Sequence, residues 1–164
     1  MNIVLDTNVV INGFRENELA CLALMLEFYG NQNLSIVMDF PDSGTRGIVM
    51  DEYFRNLKDN EGFQKWYTAL SCGQIDFYSG KLDERIKEAL LKKGFHEPSD
   101  HTFVALSLNS DKNLVTEESD YGMGNNPRSL DPKKQDVLRY LTGLGLNIMD
   151  SQNALLTLRQ PRSA

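Results

Sequence analysis

Five short apolar runs, rich in β-branched residues, alternate with longer amphipathic stretches along this chain. The runs are predicted as strands and lie at Asn2–Asp6, Leu34–Asp39, Gln74–Tyr78, Asn113–Thr116 and Leu146–Met149. The amphipathic stretches are predicted as helices over residues 16–29, 48–60, 62–71, 81–93, 98–110, 132–144 and 151–158. Strands that alternate with helices are typical of a parallel sheet covered by helices. We therefore predict an α/β fold around a mostly parallel sheet.

Several helix ends are marked by their residues. Asp131 followed by Pro132 predicts an N-cap with proline in the first turn, and Ser151 is predicted to cap the last helix. Gly143 and Gly145 predict the end of the helix that precedes the final strand.

The length of 164 residues is enough for one domain with its own apolar core. We predict a single domain over residues 1–158 and a loose tail over 159–164. No apolar run approaches the length of a membrane span, and Met1 leads directly into a predicted strand rather than a signal peptide. Cys21 and Cys72 have no metal-site spacing and are expected to be reduced. We therefore expect a cytoplasmic protein that does not contact a membrane.

The net charge of −6 argues against a protein that holds nucleic acid by a broad basic face. Part of this negative charge comes from acidic residues that flank apolar segments. Bound divalent cations would offset that part, so the acidity weakens a nucleic-acid hypothesis without removing it.

Acidic residues follow two of the predicted strands directly. Asp6 ends the first strand, and Glu117, Glu118 and Asp120 follow the fourth. The carboxyl ends of parallel strands meet at one edge of a sheet, so these side chains are expected to lie close together. A carboxylate beside a buried strand is costly unless it is paired or binds a cation. The sequence thus predicts a cation site there; a helix cap at Asp6 and a solvated acidic turn are the alternatives.

Two predicted helices carry further acidic candidates. Asp100 shares a helical stripe with Phe103 and Val104, which points it toward the core; simple compensation of the helix dipole is the alternative. Asp51 and Glu52 lie on opposite flanks of the apolar arc of their helix. Helical periodicity does not decide which of these two faces a site.

Four segments together resemble the PIN domain, and they occur in the order of that family. They are IVLDTNVVI (3–11), MDEYFRNL (50–57), SDHTFVALSL (99–108) and LVTEESDY (114–121). The resemblance implies a three-layer α/β/α sandwich with a mostly parallel five-stranded sheet. It also implies a Mg²⁺- or Mn²⁺-dependent endonuclease that acts on RNA.

The resemblance also assigns roles to individual residues. It implies metal ligands and catalytic carboxylates at Asp6, Glu52, Asp100 and Glu118, with Asp120 as a further acid at the metal and Asn8 and Thr116 as supporting hydrogen-bonding groups. Glu118 is one methylene longer than the aspartate that the family commonly has there. The segment over residues 39–46 also departs from the family pattern. No residues are assigned to substrate binding.

A PIN domain of this size resembles bacterial toxin nucleases, which implies an antitoxin partner and a homodimer besides the RNA substrate. The alternative is a PIN-fold scaffold that binds RNA or protein without cutting it. A haloacid-dehalogenase-like phosphatase also has an aspartate after its first strand. That chemistry requires a second aspartate where this chain has Asn8, so it is disfavoured.

Overall fold

A parallel sheet forms the centre of the fold, as seen in a computed structural model that describes residues 1–41 and 46–160. Its strands are β1 (Asn2–Leu5), β2 (Ser35–Asp39), β3 (Ile75–Tyr78), β4 (Asn113–Val115) and β5 (Asn147–Met149). Within the described ranges they follow the order β3-β2-β1-β4-β5, and every pairing is parallel. The predicted α/β class and five-stranded parallel sheet are confirmed.

Helices fill the connections between the strands. They are α1 (Thr7–Phe14), α2 (Leu19–Gly30), α3 (Ile48–Leu57), α4 (Glu61–Leu70), α5 (Glu84–Lys92), α6 (Pro98–Asn109), α7 (Pro132–Gly143) and α8 (Ser151–Arg159). Two 3₁₀ turns, Ser119–Tyr121 and Pro127–Leu130, lie between β4 and α7. Helix α8 packs against α2, whereas α6 packs on β1, β2 and β4. Right-handed crossovers in opposite directions put helices on both faces of the sheet, which gives the three-layer sandwich.

The central strands are buried because helices cover both of their faces. Ile3, Val4 and Leu5 of β1 and Leu114 and Val115 of β4 are almost completely inaccessible to solvent. Strands of this kind read as continuous apolar runs rather than as alternating patterns. This is why the central strands are clear in the sequence. The predicted ends of all five strands of the described sheet lie within one residue of the observed ends.

One predicted helix cap is confirmed and one is wrong. The carboxylate of Asp131 accepts a hydrogen bond from the main-chain nitrogen of Lys133 at 2.8 Å, as expected for an N-cap. Ser151 does not cap α8. The cap is Asp150, whose carboxylate accepts from the main-chain nitrogen of Asn153 at 2.7 Å. Aspartate and serine are both good N-caps, and here the aspartate is one residue earlier.

Helix α1 was not predicted from the sequence. Its residues include β-branched side chains, asparagine and glycine, all of which have low helix propensity. The helix forms because Val9 and Val10 are completely buried against the rest of the core. The predicted helix over 16–29 corresponds to α2 alone, and the other predicted helices end within three residues of the observed ends.

The first residue of the predicted tail over 159–164 is helical. Arg159 is the last residue of α8, and its guanidinium forms an ion pair with Glu27 at 2.6 Å. Residues 161–164 of that tail and residues 42–45 of the segment 39–46 lie outside the described residues. Across 1–41 and 46–160, no helix has the length and apolarity needed to cross a membrane.

We expect Tyr53→Phe to lower the free energy of unfolding by about 1–2 kcal/mol, because it removes a buried hydrogen bond. The Tyr53 hydroxyl donates to the main-chain oxygen of Leu5 at 2.5 Å and so ties α3 to the end of β1. Urea unfolding measures the change. Tyr29→Phe is the control, since Tyr29 is 46% exposed. Equal effects of the two substitutions would contradict the expectation.

Candidate functional site

The chain reverses its direction across the sheet at β1 and β4. From β1, the first two crossovers lead outward through β2 to β3, whereas β4 and β5 lie on the other side of β1. In open parallel sheets, ligands bind outside the carboxyl ends of the strands at such a reversal. Asp6 directly follows β1 and Thr116 directly follows β4. Both residues therefore lie at the position where a ligand is expected.

Asp6 is buried at this reversal point and is held by β4. The Thr116 hydroxyl donates to the Asp6 carboxylate at 2.7 Å, and the main-chain nitrogen of Asp6 donates to the oxygen of Val115 at 3.0 Å. Asp6 occupies the N-cap position of α1, but its side chain makes no capping hydrogen bond. The hydrogen bond from Thr116 is therefore the main polar contact of this buried carboxylate.

Glu52, rather than Asp51, reaches toward this edge of the sheet. The hydroxyl of Thr7, the residue after Asp6, donates to the Glu52 carboxylate at 3.1 Å. Glu52 is half-buried, whereas Asp51 is exposed. The geometry thus separates two residues that helical periodicity left equivalent.

Glu118 is connected to the same group of residues through Asn8 and Thr116. The Asn8 side-chain amide donates to the Glu118 carboxylate at 3.2 Å. The main-chain nitrogen of Glu118 donates to the Thr116 hydroxyl at 3.0 Å. Asn8 and Thr116 therefore contact the carboxylates of Glu118 and Asp6, which is the supporting role that the resemblance implies for them.

Asp100 lies in the first turn of α6 and faces the other acids. Burial, the largest cause, and the negative charges of Asp6, Glu118 and Asp120 together raise the pKa of Asp100 to about 8. The pKa of Asp6 is raised to about 7, chiefly by burial; the hydrogen bond from Thr116 opposes this rise, and the charge of Glu118 adds to it. The charges of Asp6 and Glu118 thus act on Asp100, and that of Glu118 also acts on Asp6.

The acids lie at one edge of the sheet, but their side chains do not form a cluster around a common centre. In residues 1–41 and 46–160, no three Asp, Glu, His or Cys side chains lie close enough together to hold a metal ion. Like charges repel, and three of the carboxylates have their own donors: Asp6 has Thr116, Glu52 has Thr7, and Glu118 has Asn8.

The donor set nevertheless suits a hard divalent cation. Every candidate ligand is a carboxylate oxygen, the ligand type that Mg²⁺ and Mn²⁺ prefer. Asp6 and Asp100 are acids whose raised pKa values reflect burial without a compensating charge.

Two acids at this edge have structural roles instead. The carboxylate of Asp39, at the end of β2, accepts hydrogen bonds from the main-chain nitrogens of Ile48 and Val49 at 2.7 and 3.0 Å. The carboxylate of Glu117 accepts from the main-chain nitrogen of Ser151 at 2.8 Å. These bonds hold the first turns of α3 and α8, which gives both acids a structural role.

Sequence reasoning missed three residues that contact the candidate site. Thr7 lies within the Asp-Thr-Asn motif, so a signal for it was present. Lys134, whose ammonium pairs with the Asp120 carboxylate, and Tyr121, whose hydroxyl donates to the main-chain oxygen of Asp100 at 3.3 Å, are common residues in ordinary positions. Only the packing of α7 on the Ser119–Tyr121 turn brings Lys134 to the acids.

No protein-family model matches this chain, and searches of curated proteins and of solved structures returned no significant match. The family of the protein is therefore not shown by any relative. The resemblance to the PIN domain rests on the four sequence segments, and membership of that family stays a prediction.

In EDTA, we expect the free energy of unfolding to fall as the pH rises from 5 to 8. The unfolded chain ionises its aspartates near pH 4, whereas the folded protein keeps protons on Asp6 and Asp100 up to pKa values of about 7 and about 8. The folded state therefore binds more protons, and stability is lost as the pH rises through this window, by up to about 1.4 kcal/mol per pH unit for each acid.

Asp6→Asn and Asp100→Asn should each flatten this pH dependence and leave the protein folded, because an amide does not titrate. Thermal or urea unfolding at several pH values measures the slope. Asp51→Asn is the matched control, since Asp51 is exposed and should leave the slope unchanged. Identical slopes in the wild type and all three variants would contradict the raised pKa values.

Proposed function

We propose that this protein is a metal-dependent endoribonuclease that hydrolyses RNA phosphodiester bonds at the carboxylates of Asp6, Glu52, Asp100 and Glu118. The observation that carries the proposal is the pair Asp6 and Asp100 at the reversal point of the sheet. Burial raises the pKa of both, and neither has a salt bridge within the described residues. Such acids are costly in a fold unless they serve a ligand or a reaction.

Hydrolysis of a phosphodiester needs an activated water and stabilisation of charge on the phosphate oxygens. A bound Mg²⁺ or Mn²⁺ ion supplies both. Asp6 and Asp100 would hold the ion directly, and Glu52 and Glu118 would hold it directly or through water, with Asp120 as a further acid. Thr116, Thr7 and Asn8 fix the orientation of individual carboxylates through the hydrogen bonds described above.

The alternative function is a PIN-fold scaffold that binds RNA or protein without cutting. One observation favours it: within the described ranges, no three candidate ligands lie at the separation that a metal ion requires. The two functions differ in what a cation does. A nuclease is activated by Mg²⁺ or Mn²⁺, whereas a scaffold binds its partner equally well without either ion.

We further propose that the protein is cytoplasmic, forms a homodimer and binds an antitoxin. Both cysteines are free thiols, which agrees with a reducing compartment. Leucine side chains are exposed on α2 and α8, at Leu19, Leu26 and Leu156, and offer apolar surface to a second protein chain. Light scattering of the purified protein distinguishes a monomer from a homodimer.

We expect the purified protein to cut a mixed pool of single-stranded and structured RNA with Mg²⁺ or Mn²⁺ and not in EDTA. Glu52→Gln and Asp100→Asn should lower the rate by more than the roughly 10- to 100-fold typical for partners of metal ligands. Asp51→Asn is the control, because it removes a neighbouring carboxylate that is exposed. Gel analysis of RNA fragments measures the rates.

Two outcomes count against the proposal in different ways. A folded protein that cuts no RNA with either cation is the scaffold, not the nuclease. A loss of activity in Asp51→Asn as large as that in Glu52→Gln means that the ligands are wrongly assigned, even though the chemistry is present.

A further inference from the structure

Two adjoining cavities on the protein surface are rich in lysine. One, of about 510 Å³, lies between the end of α5 and the start of α7 and is lined by Lys92, Lys93 and Lys133. The other, of about 340 Å³, is lined by Lys81 and Lys87. His96 and Leu91 line both cavities, so the two adjoin. We refer to the two cavities together as the lysine groove.

The groove concentrates positive charge on an acidic protein. Five lysines line it against two carboxylates, Asp136 and Glu84, whereas the chain as a whole carries a net charge of −6. Asp136 is already paired, since the Lys93 ammonium donates to it at 2.7 Å. Lys92 and Lys133 are exposed to solvent. Unpaired ammonium groups in a concave surface favour an anion as ligand.

Several residues of the groove are close along the chain to acids of the candidate site. Helix α6 leads into β4, so its first turn, with Asp100, lies at the carboxyl edge of the sheet; His96 precedes Asp100 by four residues. On the other wall, Lys133 is next to Lys134, whose ammonium pairs with Asp120. Both walls of the groove are thus continuous along the chain with acids of the site.

We propose that the lysine groove binds the phosphate backbone of an RNA strand and directs that strand to the carboxylates. This inference rests on the proposed nuclease function and names the surface that makes the function possible on an acidic protein. Lysine binds phosphate as a flexible point charge, which suits contacts to a backbone without regard to base sequence. The lysines of the groove come from α5, from α7 and from the connection over residues 80–82.

The test reverses charge at two exposed lysines of the groove, Lys92→Glu with Lys133→Glu. The matched control is Lys58→Glu with Lys65→Glu, which changes the net charge by the same amount at two exposed lysines that line neither cavity. Both pairs are made in an Asp100→Asn background, so that the strand is not cut. Fluorescence anisotropy with a labelled 20-nucleotide single-stranded RNA in Mg²⁺ measures the Kd over a range of salt concentrations.

The groove pair should raise the Kd on the order of tenfold and lower the slope of log Kd against log salt by about 1.4, about 0.7 for each lost phosphate contact. The control pair should leave the slope unchanged. Lys92→Ala with Lys133→Ala should change both quantities in the same direction, and this pair keeps the test valid if the double glutamate variant does not fold.

Equal Kd values and salt slopes in the groove and control pairs would overturn the inference, as would the absence of RNA binding by the Asp100→Asn parent. Wild-type cleavage is measured separately. If the RNA binds through the groove and is never cut with either cation, the inference stands and the nuclease proposal fails. If the RNA is cut and both pairs bind equally, the nuclease proposal stands and the groove is excluded.

Discussion

The hydrogen bond from the Thr116 hydroxyl to the Asp6 carboxylate joins the ends of the two central strands, and the candidate site is arranged around it. A carboxylate this deeply buried needs a hydrogen-bond donor, a charge partner or a bound cation. The Thr116 hydroxyl donates a hydrogen bond to one carboxylate oxygen of Asp6 and accepts one from the main-chain nitrogen of Glu118. The second bond fixes the path of the chain as it leaves β4. From β1, Thr7 extends the arrangement to Glu52 and Asn8 extends it to Glu118. Neutral hydrogen-bond donors thereby hold the acids that lie where the chain reverses its direction across the sheet.

Without a cation, these acids store unfavourable electrostatic free energy. Burial raises the pKa of Asp6 and of Asp100, and the remaining carboxylates are spread among separate donors. One acid of the group is neutralised by a lysine, at the pair of Asp120 and Lys134. The same helix, α7, carries Lys133 into the lysine groove, so a single helix connects the acidic edge with the positive surface. An acidic protein can in this way present a favourable surface to a polyanion while it keeps its carboxylates for a metal ion.

Much of the fold could be predicted from the sequence, because strands buried on both faces leave continuous apolar runs. Helix α1 could not, since its propensity is poor and only the burial of Val9 and Val10 makes it helical. For the site, the order of the strands was enough to predict that Asp6 and the acids after β4 lie at the same edge of the sheet. It did not predict which of several neighbouring acids belong to the site. Asp39 ends β2 and Glu117 lies two residues after β4, at the same edge of the sheet as Asp6, yet both hold helix ends. Such roles depend on which main-chain amides lie within reach, and that information is absent from the residue pattern.

The central claim is that the acidic edge of the sheet binds a cation. Calorimetric titration of Mn²⁺ into the protein at pH 7, in two buffers of different ionisation enthalpy, tests this claim most directly. Asp6 and Asp100 carry protons near this pH, and ligands must lose them to bind a metal. We therefore expect Mn²⁺ to bind with the release of about one proton per ion, and Asp100→Asn to reduce that release. Absence of binding, or binding with the same heat in both buffers, would contradict the assignment.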